Sequence, residues 1–395
     1  MIKLKKSQLL RFNREEIKNK DVLVRVDFNV PIKENKIGEV YRIKSIKETL
    51  DFLKIARKII LISHFDDPQP LISINQTKNI SNKIFKDKIK KYSLKKILPS
   101  IEKLLKIKIN FLKDLNDIPK EKFNLLENIR LFKGEKECDI NFAKNLANLG
   151  DIFVFEAFSV CHRKHSSTYL LAKILPTYFG FNFEKEINLL NTILNTSKSK
   201  CNNKLSLILG GAKISTKLPL IKKFLRSASL IILTGGLANT FLKSRGFEIG
   251  NSLFEKDILE EIKKIKSPKI LVPFDFYGLN KNKFFYKFLG DIRKNDKILD
   301  IGKESLRVFL EEIKKSKFIV FNGPLGFVED KRFEKGTLIL LKSLSKLKDK
   351  FILVGGGDTL SFLENKRIIK KFKISTGGGA MLYYLANETF PIFEK

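Results

Sequence analysis

The sequence predicts an α/β fold with parallel strands covered by helices on both faces. Three observations carry that expectation. Short unbroken apolar runs recur, such as Leu230–Leu233 and Phe351–Val354, as strands buried on both sides require. Helix-length stretches separate several of these runs, which is the rhythm of strand, helix, strand. The runs end on glycine or on polar and basic residues, and in parallel sheets ligands bind outside the carboxyl ends of the strands. At 395 residues the chain holds about two domains, each large enough for its own core.

In order, Asp21–Val26 (DVLVRV) is the first strand, stopped by Pro31 so that Asp27 and Asn29 lie at its carboxyl end. Ile43, Ile46, Leu50 and Leu53 follow at helical spacing, with Arg42 in the first turn. Ile59–Ser63 is the next strand and ends at His64. Segments around Leu105–Leu112, Phe123–Leu126 and Ile152–Phe155 repeat the pattern, Arg130 following the second of them and His162, Arg163 and His165 the third. Guanidinium groups pair bidentately with carboxylate and phosphate oxygens. The first half therefore reads as a pocket for a small, multiply charged anion. Phe179–Leu194 carries a helical pattern, read as a helix linking two domains.

Glycine marks the strand exits of the second half: Gly210–Gly211 with Lys213 and Lys217 beyond, Gly235–Gly236, Asn322–Gly323 with Glu329 beyond, Gly355–Gly357, and Gly377–Gly379. Glycine lets the backbone approach a ligand closely, so these exits suit a nucleotide held mainly by main chain. The stretch FILVGGGDTLSFLE (Phe351–Glu364) is the clearest of them. A helix start after its glycines favours a phosphate, and Asp358 is placed to hold the accompanying magnesium. None of these exits is a GxxxxGK[ST] loop or a dinucleotide fingerprint.

Composition narrows the class. Apolar content is 43%, ordinary for a globular protein, and no run nears the ~18 apolar residues of a membrane helix. The opening MIKLKKSQLLRFNREEIKNK is too charged for a signal peptide. Cys138, Cys161 and Cys201 are isolated, which points to a reducing, cytoplasmic setting without disulfides. With three histidines a histidine-rich metal site is not expected. The formal charge of +34 has two readings, a nucleic-acid binder or AT-rich codons decorating a solvated surface. Lys, Ile, Asn and Phe are abundant throughout and the lysines are scattered, so the second is favoured and no specific nucleic acid is expected.

Taken together, the motifs resemble the phosphoglycerate kinase family. They are RVDFNVP (Arg25–Pro31), SH (Ser63–His64), KYSL (Lys91–Leu94), ENIRLFKGE (Glu127–Glu135) and EAFSVCHRKHSS (Glu156–Ser167), then GGAKISTKL (Gly210–Leu218), GGLANTFL (Gly235–Leu242), NGPLGFVE (Asn322–Glu329), GGGDT (Gly355–Thr359) and STGGGA (Ser375–Ala380). They stand in the family's order over nearly the whole chain. The resemblance implies two Rossmann-like domains facing across a hinged cleft: a phosphoglycerate-binding domain at 1–175 with the tail 380–395 packing back on it, and a nucleotide-binding domain at 176–379 that includes the interdomain helix. It implies a monomer and a glycolytic enzyme transferring the acyl phosphate of 1,3-bisphosphoglycerate to ADP, reversibly and with Mg2+. The alternative is a catalytically weakened basic protein of the same fold that binds nucleic acid or acidic partners. By matching positions, Asp27, Asn29, Arg42, His64, Arg130 and Arg163 bind the glycerate ligand. Lys213, Lys217, Gly236, Asn322, Glu329, Gly356, Gly357, Asp358 and Thr359 serve the nucleotide, with Asp358 at the metal. Arg42, Lys213 and Gly379 fall to the transfer step.

The chain departs from the family at SHFDDP (Ser63–Pro68), where SHLGRP is usual. Asp66 takes the place of a glycine and Asp67 that of an anion-binding arginine. Weaker substrate binding, compensation by a nearby lysine and a loop pointing both aspartates outward are the three readings, and partial loss of affinity with activity retained is the favoured outcome. Glu156 replaces the usual aspartate, Ser159 a glycine, Phe321 a tryptophan and Thr234 the first glycine of its motif.

Overall fold

A computed structural model describes residues 14–33, 36–72, 83–117, 119, 121–198, 204–212 and 214–394. Lys213, Cys201 and the first thirteen residues lie outside the described residues. The chain divides into two compact units, unit 1 at Met1–Asn188 with Asn387–Lys395, and unit 2 at Leu189–Ala386.

Unit 1 contains β1 (Asp21–Arg25), the short pair β2 (Ile32–Lys33) and β3 (Lys36–Ile37), β4 (Lys58–Ile62), β5 (Asn110–Leu112), β6 (Phe123–Leu126), β7 (Ile152–Phe155) and β8 (Thr177–Phe179). Among the described residues its main sheet has six strands in the order β5-β6-β4-β1-β7-β8, and each neighbouring pair is parallel. Val22, Leu23 and Val24 of β1 are fully buried, because consecutive residues point to opposite faces and helices cover both. The helices Tyr41–Ser45 and Lys47–Leu53 bury Ile43, Ile46, Leu50 and Leu53 against the sheet, as their spacing predicts. The chain builds from β1 to β4 on one side and later adds β7 on the other. The strand order thus reverses between β1 and β7, and their carboxyl ends flank a crevice.

Unit 2 contains β9 (Leu205–Leu209), β10 (Leu230–Leu233), β11 (Ile270–Leu271), β12 (Asp275–Asn280), β13 (Lys283–Phe288), β14 (Asp296–Ile301), β15 (Phe318–Asn322), β16 (Phe351–Gly355) and β17 (Lys373–Ser375). Among the described residues its main sheet has six strands, β11-β10-β9-β15-β16-β17, again all parallel. Here the reversal falls between β9 and β15. A second, antiparallel sheet, β13-β12-β14, carries its own small core around Phe276, Phe285 and Ile298.

Several details differ from the sequence expectation. The segment Leu105–Leu112 is two elements: the helix Leu98–Leu105 stops at Lys106, which is left-handed (φ 57), and β5 starts at Asn110. Phe179 ends a strand, and the long helix runs Phe181–Lys198. The boundary between the units falls within that helix. Residues 176–188 group with unit 1 because Phe179 and Phe183 stack on each other at 4.8 Å and pack with Phe155 and Phe158. Residues 380–386 complete the helix Gly378–Asn387 and stay in unit 2, whereas 387–395 group with unit 1. There Phe390 meets Phe158 and Phe393 meets Phe179. Among the described residues no helix is long and apolar enough to cross a membrane.

Candidate functional site

In unit 1 the polar residues gather at the β1/β7 crevice. Pro31 and an Asx turn, in which the Asn29 N–H donates to Asp27 Oδ1 (2.9 Å), hold the chain after β1. Arg42, in the first turn of its helix, donates from Nη1 to Asp27 Oδ2 (2.9 Å) and to the Asn29 carbonyl (2.8 Å), and from Nε to buried Glu39 (3.2 Å). The Ser159 hydroxyl, which follows β7, donates to the same Asp27 Oδ2. Burial alone raises the Asp27 carboxyl, but the Arg42 charge, the Ser159 hydroxyl and the Asn29 N–H outweigh it and bring it to about 2. Asp27 is thus a permanent anion that fixes the direction of Arg42.

His64 is buried, with Nδ1 3.8 Å from Asp27 Oδ1 and 3.4 Å from Arg25 Nη2. Burial drives its pKa well below the ordinary value against the pull of Asp27, and the charges of Arg25, Arg130 and Arg163 add to the effect. His64 is therefore a neutral hydrogen-bonding group at pH 7. Arg25 is itself buried and donates to Ser167 (2.9 Å) and the Val26 carbonyl (2.6 Å), while Ser167 donates to Glu135 (2.6 Å).

Asn128 ties the loop after β4 to the loop after β6. It donates to the carbonyls of Phe65 (2.6 Å) and Tyr92 (2.9 Å) and accepts from the N–H groups of Phe65 and Arg130. Arg130 is set by this turn, with its side chain 4% exposed. Its Nη1 donates to the Asp66 carbonyl (2.7 Å). Its Nε and Nη2 are buried with no hydrogen-bond partner. Asp67 is exposed and pairs with Lys136 (2.7 Å) and, at 3.4 Å, with Arg130. Of the three readings of the Asp66–Asp67 exchange, this geometry matches both compensation by a lysine and a loop with both aspartates exposed. Arg163 is exposed, and its charge acts on both Arg130 and Asp67. Unit 1 thus assembles Asp27, Asn29, Arg42, His64 and Arg130, with Arg163 at the rim.

In unit 2 the glycine exits meet at the β9/β15 crevice. The Gly210 N–H donates to the Asn322 carbonyl (2.9 Å), and a Cβ on Gly210 would lie 2.0 Å from the Pro324 carbonyl oxygen, so only glycine fits. A cavity of about 520 Å³ opens beside these turns, within the range of small-molecule sites. Backbone of Gly211, Ala212, Gly235 and Gly236 lines one part of it, apolar Leu253, Phe276, Leu325 and Phe327 another, with Glu329 and Asp358 also contributing. Lys217 instead turns inward, donating to the Gly210 carbonyl. Burial lowers its pKa to about 8 against the pull of Glu255 and Asp358.

The exit of β16 forms a separate cradle. Gly356 has φ +107 and caps the helix Gly357–Asn365, whose first turn carries exposed Asp358. Gly378 abuts it: a Cβ there would lie 2.6 Å from Gly356 Cα and 3.3 Å from Asn322 Nδ2. Asn322 Nδ2, Thr359 Oγ1 and Ser375 Oγ are buried around these glycines without hydrogen-bond partners. Unpaired buried polar atoms are costly, so this cradle suits a ligand rich in oxygen. Gly379 is exposed in the first turn of its helix. Lys213 stands outside the described residues.

The sequence reading missed Glu39, Arg25, Lys136 and Ser375. Arg25 carried a signal, since an arginine within a fully apolar strand run must find buried partners. Ser375 sits at a strand exit beside glycines that were singled out. Lys136 and Glu39 carried none, because charged residues on loops are ordinarily solvated.

A family model described as phosphoglycerate kinase matches residues 12–388. Curated relatives named phosphoglycerate kinase include one from Francisella philomiragia, 35% identical with 96% of each chain covered. Another, from Helicobacter pylori strain J99, is 37% identical over 96% of this chain and 94% of its own. The structure of phosphoglycerate kinase from Coxiella burnetii matches with a TM-score of 0.73 at 30% identity, over 95% of each chain. That of phosphoglycerate kinase from Pyrococcus horikoshii matches with 0.80 at 28%, over 98% of this chain and 97% of that one.

Proposed function

The chain belongs to the phosphoglycerate kinase family, and from that premise we propose which of its residues carry the reaction. The enzyme passes a phosphoryl group reversibly between 1,3-bisphosphoglycerate and ADP, yielding 3-phosphoglycerate and ATP in glycolysis. Unit 1 takes the phosphoglycerate and unit 2 the nucleotide. Arg130 is the observation that carries this reading: a buried cation with two unpaired guanidinium nitrogens at a strand exit asks for an anion with several oxygens. Asp27, Asn29, His64 and Arg163 complete the glycerate site, neutral His64 serving as a hydrogen-bonding group. The cavity by Gly236 and Glu329 takes the nucleoside, and Gly356, Gly357, Asn322 and Thr359 take the phosphates.

The exposed carboxylate of Asp358, beside a cradle of unpaired polar atoms, fits magnesium, which is held by one or two carboxylates together with phosphate oxygens and water. Bound there, the metal neutralises phosphate charge. Phosphoryl transfer needs in-line placement and charge neutralisation and no covalent enzyme intermediate. The carboxylate leaves when ADP is the acceptor and attacks in the reverse direction, and both it and the ADP phosphate oxygen are already ionised, so no general base is required. Arg42, aimed by Asp27 and Glu39, and Lys213 supply positive charge for the transfer step, and exposed Gly379 offers bare main chain in the first turn of its helix. The enzyme works as a cytoplasmic monomer with no specific nucleic-acid partner.

A coupled assay of ATP formation from 1,3-bisphosphoglycerate and ADP tests this. Turnover is expected in the wild type, with near-complete loss in Arg42→Met and Lys213→Met. A wild type that binds nucleotide without turnover, or variants that keep full kcat, would overturn it.

A further inference from the structure

We propose that Lys136 is a direct ligand of the substrate's phosphate, and that Asp67 is a built-in anion which the phosphate displaces on entry. The inference rests on the reading of Arg130 as part of the glycerate site. Asp67 Oδ1 is shared by Lys136 Nζ at 2.7 Å and Arg130 Nη1 at 3.4 Å. Lys136 is held from behind by the Pro68 carbonyl at 3.0 Å. The cations are the inner partners: the Arg130 side chain is 4% exposed and that of Lys136 26%, against 67% for Asp67. The carboxylate is therefore the outer group, in a pair wet enough to be exchangeable.

Charge and donor count favour a phosphate over Asp67. Lys136, Arg130 and Arg163 all act on the Asp67 carboxyl and hold it below the ordinary carboxylate range, the Lys136 hydrogen bond foremost. One exposed carboxylate leaves Arg130 Nε and Nη2 unpaired. A phosphate monoester brings more oxygens and up to two charges to the same donors. The resemblance places an arginine at position 67, so Lys136, reaching in from the loop after β6, returns the cation that Asp67 removes.

The test is the KM for 3-phosphoglycerate in Asp67→Asn, Lys136→Met and the double variant, with the KM for ATP as internal reference and a thermal melt to confirm folding. Asp67→Asn should lower the KM roughly threefold to fivefold, the yield of removing a wet competing ion pair. Lys136→Met should raise it about tenfold, as expected for loss of a hydrogen bond to a charged group, and Lys136→Arg should restore it. The double variant decides the matter. If Lys136 touches substrate, Lys136→Met still raises the KM about tenfold in the Asp67→Asn background. If Lys136 only neutralises Asp67, it has no effect there, and the proposal is overturned. An unchanged or raised KM in Asp67→Asn removes the displacement half. Arg130→Met separates the two levels: a raised KM with Lys136→Met silent sinks this inference alone, while no change in either variant sinks the glycerate site itself.

Discussion

Replacing Arg130 by methionine should trade stability against substrate binding in opposite directions. Methionine keeps much of the apolar stem and removes the guanidinium. Two of its buried nitrogens have no partner, at a cost of about 1–3 kcal/mol each in the ligand-free protein. Against that relief stands the lost bond from Nη1 to the Asp66 carbonyl at 2.7 Å, roughly 1.5–3 kcal/mol for a charged donor. The net change lies between about −1 and +4.5 kcal/mol, so the variant should melt close to the wild-type temperature or above it. Binding should move the other way. Removing a buried charge from its anionic partner costs about 2–5 kcal/mol, which is roughly thirtyfold to a few thousandfold in KM for 3-phosphoglycerate. Coupled kinetics and a thermal melt on the same preparation read both quantities. A variant that melts well below the wild type and keeps its KM would show that Arg130 is structural, and would refute the reasoning.

Two further variants test other parts of the chain. Glu156 is buried and accepts from Thr49 (2.6 Å) and from the N–H groups of Asn182 (3.2 Å) and Phe183 (3.0 Å), yet burial pushes its carboxyl up from 4.5 to about 8. A raised folded pKa stabilises fully below 4.5, and that contribution is lost as pH climbs through about 8. The melting temperature of Glu156→Gln relative to wild type should therefore rise steadily across that window, and a constant difference would show that the group does not titrate there. Thr359→Val removes a buried hydroxyl with no partner and keeps its shape. It should stabilise the ligand-free protein by about 1–3 kcal/mol and raise the KM for ATP about tenfold, the worth of a hydrogen bond to phosphate. An unchanged KM for ATP would remove Thr359 from the cradle.

Much of this fold was legible because strands buried on both faces must be written as unbroken apolar runs. The runs at Ile152–Phe155 and Phe318–Phe321 appear in the structure as β7 and as β15, which extends one residue further to Asn322. The antiparallel sheet was not read, since β13 (KFFYKF) mixes lysines with its aromatics and leaves Phe284 and Phe288 exposed. The three-residue β8 was likewise absorbed into the neighbouring helix pattern. Residues at strand exits were visible as candidates because a parallel sheet places its ligands there. Partnerships across long sequence separations were not. Nothing local to SHFDDP says that Lys136 meets Asp67, and nothing near Asp27 says that Ser159 donates to it. Such contacts follow from strand order: β7 lies beside β1 although the elements between them fill most of unit 1.

The division of ligands between the two units is tested most directly by hydrogen–deuterium exchange on the whole chain with each ligand added alone. With 3-phosphoglycerate, protection should appear over residues 25–31, 63–68 and 128–136 of unit 1. With magnesium and ATP it should appear over residues 210–217, 322–329 and 355–359 of unit 2. Protection of the unit 2 glycine exits by 3-phosphoglycerate alone, with the Arg130 segment unaffected, would contradict the account.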